Sequence, residues 1–174
     1  MSKFSPRTAL ALAAAAVLVV IVTVAGVVTV AVHRHKAADP ELTVYAYGQA
    51  QRVPPFRYCD PHKEGARILL DCRQSGYTAK FDVPAGYPLQ VSLPSELVDA
   101  PWHLALEYTT DNGPDVRMEQ SKADYPAGTA AFSIKSSPQP DMHLVHAELN
   151  LLAPVVDETG QEGLMVFQAW SIDA

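Results

Sequence analysis

The sequence predicts an all-β domain, an antiparallel β-sandwich of immunoglobulin-like or cupredoxin-like outline, preceded by one transmembrane helix. Three observations predict it. Residues 8–32 form twenty-five consecutive residues without a charge. Beyond them, short alternating apolar runs are divided by turn residues, and thirteen of the fourteen prolines lie after residue 32. The chain has two cysteines, Cys59 and Cys72, on either side of a turn-rich segment.

The uncharged run comes first in the chain and decides where the rest resides. A helix rises about 1.5 Å per residue, so a run of this length exceeds the ~30 Å of bilayer hydrocarbon. In lipid a helix satisfies its own backbone, which outweighs the weak aqueous helix propensity of Val and Ile. A cleavable signal peptide has an apolar region of only about 7–15 residues before a small-x-small site. This run is longer, and Ala31-Val32-His33-Arg34-His35-Lys36 offers no such site. An uncleaved signal anchor is therefore expected. Lys3 and Arg7 flank one end, Arg34 and Lys36 the other, so positive charge alone does not orient it.

The cysteines do. Two cysteines outside the cytoplasm most often pair, and the spacing lacks the short CxxC of redox or zinc sites. Their midpoint falls at Gly65 and Ala66, within the turn cluster Asp60-Pro61-His62-Lys63-Glu64-Gly65. A hairpin centred there sets the cysteines opposite one another, as a bridge requires, and closing that loop stabilises by roughly 3 kcal/mol. The expected layout is a cytoplasmic tail over 1–7, the anchor over 8–32 and a tether over 33–40. Residues 41–174 then form a single domain outside the cytoplasm, in a single-pass protein of the cell membrane.

That domain is acidic. From Asp39 onward the chain holds all nineteen Asp and Glu but nine of the thirteen Lys and Arg, a net charge of −10. Such a surface repels phosphate backbones, so nucleic acid is not an expected partner.

The strands follow in order. Residues 42–47 alternate and Gly48 ends them; residues 53–59 and 67–73 form the cysteine hairpin, with Pro54 and Pro55 assigning the first to a sheet edge. Residues 78–83 make a short strand stopped by Pro84-Ala85-Gly86, and residues 89–93 alternate between Pro88 and Pro94. Residues 95–100 suit one helical turn, which Pro101 ends. Trp102, Leu104, Leu106 and Tyr108 then share one face, His103, Glu107 and Thr109 the other. Residues 116–120 form a strand. Ala130, Phe132 and Ile134 mark another; Val145, Ala147, Leu149 and Leu151 share a face of the next. After a turn over 157–163, Leu164, Val166, Trp170 and Ile172 are set against Met165 and Phe167 in the last strand.

With the strands laid out, the chain resembles a known family. The features are the N-terminal span, Tyr58-Cys59, Cys72, the segment VPAGYPLQVSLPSELVDAPW over 83–102, His146-Ala147-Glu148-Leu149 and Trp170-Ser171-Ile172. They are similar to an exported, membrane-anchored family of mycobacteria and related actinobacteria, a domain of unknown function (domain of unknown function 2771). The resemblance implies an envelope location and paired cysteines. It carries over no activity and no catalytic residue.

Candidate sites are few. His62, His103, His143 and His146 raise copper for a cupredoxin-like shape, but a blue-copper centre needs a thiolate and a weak axial ligand. Cys72 stands ready to pair with Cys59 in an oxidising compartment, and His143 and His146, three apart, point to opposite faces of a regular strand. No G-x-S-x-G surrounds any Ser, and Asp157-Glu158 sits in a turn. No catalytic, cofactor or metal residue is assigned. The candidate surface is aromatic: Tyr45, Tyr47, Phe56 and Tyr58, some of which must face outward to contact a partner. The expected role is a non-enzymatic interaction or accessory module of a membrane or cell-wall assembly, without cofactors. The alternative is a protein of cupredoxin-like shape that binds copper or a small ligand.

Overall fold

A run made mostly of Ala, Val, Leu and Ile, with Thr23, Gly26 and Thr29 but no internal proline, folds as one helix, α1 (Pro6–Arg34). The computed structural model describes residues 6–34, 39–65, 67–156 and 160–174, and the chain divides into two units, 1–38 and 39–174. The tail over 1–5, most of the tether, Ala66 and the start of the turn over 157–163 lie outside the described residues. Side chains of α1 are described over 15–30, and all of them are exposed. Among the described residues no helix is long and apolar enough to cross a membrane. The uncharged run is longer than that described stretch.

The second unit is built from β1 (Leu42–Ala46), β2 (Gln49–Val53), β3 (Arg57–Glu64), β4 (Arg67–Gln74), β5 (Ala79–Lys80) and β6 (Pro88–Ser92). One short helical turn, α2 (Ser95–Val98), precedes β7 (Trp102–Thr110), β8 (Val116–Ser121), β9 (Ala131–Lys135), β10 (Met142–Val156) and β11 (Glu162–Asp173). Two sheets result. The smaller runs β2-β1-β6-β9, antiparallel throughout. The larger runs β4-β3-β11-β10-β7-β8, with β5 lying parallel beside β11. The edge of β11 is shared: β3 pairs it at Gln168 and Ala169, and β5 takes over at Ile172 and Asp173.

Alternation sets the core. Leu42, Val44 and Ala46 of β1, Leu89 and Val91 of β6, and Phe132 and Ile134 of β9 are buried in one cluster with residues of the larger sheet. That sheet contributes Leu104, Leu106 and Tyr108 of β7, Ala147 and Leu149 of β10, and Trp170 and Ile172 of β11. Two mostly antiparallel sheets sharing one apolar core make a β-sandwich. The face predicted for Trp102 is buried, and His103 and Glu107 on the other side are exposed.

Four expectations need correction. The segment 53–59 is not one strand: Pro54 and Pro55 break it, and its ends belong to β2 and β3. β2 itself is a strand the alternation did not reveal, because only Val53 of its five residues is buried. In β10, Val145 does not join Ala147 and Leu149. The register with β7 shifts between Leu144 and His146, so Val145 bulges outward, 37% exposed, and Leu144 takes the inward place. The register of β10 with β11 shifts likewise at Leu151 and Leu152, which leaves Phe167 unpaired. Leu164 and Val166 therefore fall on the face opposite Trp170 and Ile172.

Candidate functional site

The outer face of the smaller sheet carries aromatic rings. Because Leu42, Val44 and Ala46 point inward, Tyr45 must point out; it is 44% exposed and sits opposite Gln90 of β6. Two turns bring further rings beside it. Tyr47 and Gly48 form the two-residue loop between β1 and β2, with Ala46 opposite Gln49. Their φ angles are 43° and 80°, positive at both positions as a type I′ turn demands. Glycine adopts this freely. Tyr47 does not, and it is the one non-glycine residue with positive φ among the described residues. Holding a bulky ring there costs roughly 1 kcal/mol or more.

The second turn spans residues 84–87. The Tyr87 N–H donates to the Pro84 carbonyl at 3.0 Å, and Gly86, at φ 84°, supplies the positive φ of its third position. Tyr87 meets Tyr47 edge to face, ring centroids 4.8 Å apart at 68°, and both rings remain about half exposed. With Tyr45, Gly48, Pro88 and Gln90 they line a shallow, open depression. None of these six carries a charge; Lys135, paired with Pro88 across β9, stands at the margin. The arrangement offers ring faces, phenol hydroxyls and one amide. It can stack against a ligand and hydrogen-bond its rim, and it contains no nucleophile-base pair.

Of the four aromatic residues expected to form a surface, the structure brings Tyr45 and Tyr47 together and separates Phe56 and Tyr58 from them. The Phe56 N–H donates to Ala169 of β11 at 2.8 Å, so Phe56 belongs to the larger sheet. Tyr58, in β3, is half-buried beneath the Arg73 guanidinium, 4.6 Å from its ring centroid. Arg73 also holds Asp60 at 3.0 Å and, in close contact, Asp39. Burial, then Asp60 and Asp39, push the Tyr58 phenol above its ordinary pKa. These two residues fasten the start of the domain to the hairpin. Tyr87 is the residue that sequence reasoning missed; its only local signal is the Pro-Ala-Gly turn before it.

The cysteine expectation is met. Cys59 and Cys72 are opposite in register and form a disulfide, with Gly65 at φ 63° in the turn. The thiolate that blue copper needs is therefore absent from both. His62 and His103 are exposed. The bulge at Val145 overturns one expectation: His143 and His146 pair with Thr109 and Glu107, so both lie on the outer face of the larger sheet. They are engaged separately, His143 Nε2 3.3 Å from Asp111 and His146 Nδ1 2.8 Å from Asp173. Glu148, then Asp173, hold the imidazole of His146 protonated up to a pKa of about 9, against partial burial. Among the described residues no group of three or more His, Cys, Asp and Glu is placed to hold a metal ion. Residues 157–159, which include the Asp157-Glu158 pair, lie outside the described residues.

The profile of a family described as "protein of unknown function (DUF2771)" matches residues 35–174. Proteins of Mycobacterium bovis and Mycobacterium tuberculosis, each described as uncharacterized, are 28% identical over 141 residues, 81% of this chain and 81% of theirs. No solved structure matches the chain significantly.

Proposed function

Since the chain belongs to the DUF2771 family, whose description assigns no activity, we propose that it is a non-enzymatic, membrane-anchored envelope protein that binds a partner or cell-wall component through Tyr45, Tyr47 and Tyr87. The observation that carries this reading is the strained Tyr47 ring packed on Tyr87 at an exposed face. Local backbone energy favours Asn or Gly at that turn position, so the ring answers to something other than folding. A disulfide-closed sandwich with a shallow aromatic face suits recognition better than chemistry.

In this reading residues 8–32 anchor the chain, residues 1–7 stay in the cytoplasm, and the sandwich, immunoglobulin-like or cupredoxin-like in outline, stands outside. Apolar residues occur on every side of α1, and Val17, Leu18, Val20, Ile21 and Val24 are all more than half exposed. A helix apolar all round is stable when lipid or protein surrounds it. Its polar side chains turn inward as well: the hydroxyls of Thr23 and Thr29 donate to carbonyls four residues earlier, at 2.7 Å. The disulfide supports an oxidising compartment for the domain.

A photo-crosslinking side chain placed at position 87 of the full chain in cells tests the binding surface. Adducts are expected there, and not with the same group at position 119 on exposed β8. Equal adducts at the two positions, or none at either, would retire the patch as the binding surface.

A further inference from the structure

Resting on that reading of the patch, we infer that its ligand is a neutral carbohydrate, a chain of sugar rings lying across Tyr45, Tyr47 and Tyr87. Charge narrows the choice first. No lining residue is charged, and the domain's net charge of −10 repels phosphate-bearing ligands and nucleic acid. Shape narrows it further. A lipid chain seeks an enclosed cavity that buries most of its surface, whereas this depression is open. A proline-rich peptide docks in slots between aromatic rings. Tyr47 and Tyr87 have closed that slot on each other, with centroids 4.8 Å apart.

What remains is a flat ligand with an apolar face and polar edges. A pyranose ring has both: its axial C–H bonds make a face that lies on a phenol ring, and its hydroxyls project sideways. The phenol hydroxyls and the Gln90 amide, which faces the same way as Tyr45, supply donors and acceptors at that rim. The platform is also prepared in advance. Tyr47 is fixed by its turn and by Tyr87, so little side-chain freedom is lost when a ligand arrives.

The test is calorimetric titration of the full chain in detergent micelles with β-1,4- and α-1,4-linked glucose hexasaccharides, and with decaproline as the peptide control. Saturable binding of a hexasaccharide is expected, with a Kd of about 1 mM or tighter. Tyr45→Ala and Tyr87→Ala should each weaken it by roughly tenfold. Tyr47→Asn separates binding from folding: the turn relaxes, so the melting temperature rises, while affinity falls by about the same factor. Failure of both hexasaccharides to bind, or affinity unmoved by the three substitutions, overturns the carbohydrate assignment. Decaproline binding lost in those variants would replace it with a peptide ligand. If no saccharide binds yet the group at position 87 still captures a polypeptide, the interaction reading survives and only the ligand class falls.

Discussion

Two tryptophans share the core and differ in one atom's surroundings. Trp170 is fully buried and its Nε1 donates to the Pro40 carbonyl at 3.0 Å. Trp102 is 1% exposed, stacks on Phe132 at 5.2 Å and touches Tyr125 at 5.3 Å, yet its buried Nε1 has no acceptor. A buried unpaired donor costs about 1–3 kcal/mol. Trp102→Ala should therefore destabilise by roughly 3–5 kcal/mol through lost packing. Trp102→Phe removes the unpaired donor along with part of the ring and should cost less than about 1.5 kcal/mol. Trp170→Phe strands the Pro40 carbonyl and should cost more than Trp102→Phe. Urea melts of the three variants decide this; equal losses for Trp102→Phe and Trp170→Phe would show that the donor's environment plays no part. His103→Ala, on the solvent side of the same strand, should leave stability almost unchanged.

At the level of elements, β10 and β11 are tied by a pair that the strand pattern does not announce. His146 stands opposite Asp173 in the ladder and contacts it at 2.8 Å; Glu148 Oε2 lies 3.9 Å away, and Glu107 of β7 is opposite on the other side. These carboxylates raise the folded pKa of His146 from 6.5 to about 9, Glu148 contributing most. The shortest contact is to Asp173, which makes it the sharper residue to remove. The folded value lies above the unfolded one, so this stabilisation is complete below about pH 6.5 and disappears as pH rises through about 9. The group is only partly buried, so screening leaves it worth on the order of 1–2 kcal/mol. Asp173→Asn should remove part of that, less than about 1 kcal/mol, at pH 6, with the gap to the unmodified protein closing by pH 10. Denaturant midpoints across that range check it; a gap independent of pH would assign the loss to packing.

For the whole molecule, the disulfide and the apolar run make one joint claim about compartment. A reporter active only outside the cytoplasm, fused after Ala174, should be active, and one active only inside should be silent. Cys59→Ala with Cys72→Ala in the same fusion should leave that topology unchanged while lowering the melting temperature, since loop closure is worth roughly 3 kcal/mol. Activity of the inside-only reporter would reverse the orientation proposed for α1 and remove the compartment in which the tyrosine patch is placed.

The sequence by itself determined the parts that depend on near neighbours along the chain. Alternation identified the inward face of β7, because a strand's period of two is a property of its own backbone. A turn cluster midway between Cys59 and Cys72 was enough to pair them, because hairpin register follows from where the turn lies. Only the tertiary structure decided the rest. The bulges at Val145 and Phe167 arise from how β10 fits β7 on one side and β11 on the other, so no local period foretells them. They moved Val145 out of the core and brought His143 and His146 to one face. The candidate site divided in the same way. Tyr45 and Tyr47 were legible as neighbours on the outward face of one alternating segment, although the structure ends that strand at Ala46 and puts Tyr47 in the turn. The removal of Phe56 and Tyr58 to the other sheet, and the arrival of Tyr87 from a turn forty residues later, are consequences of which strands become neighbours. Strand neighbours are chosen by burying one shared core, and that choice is made by the whole chain at once.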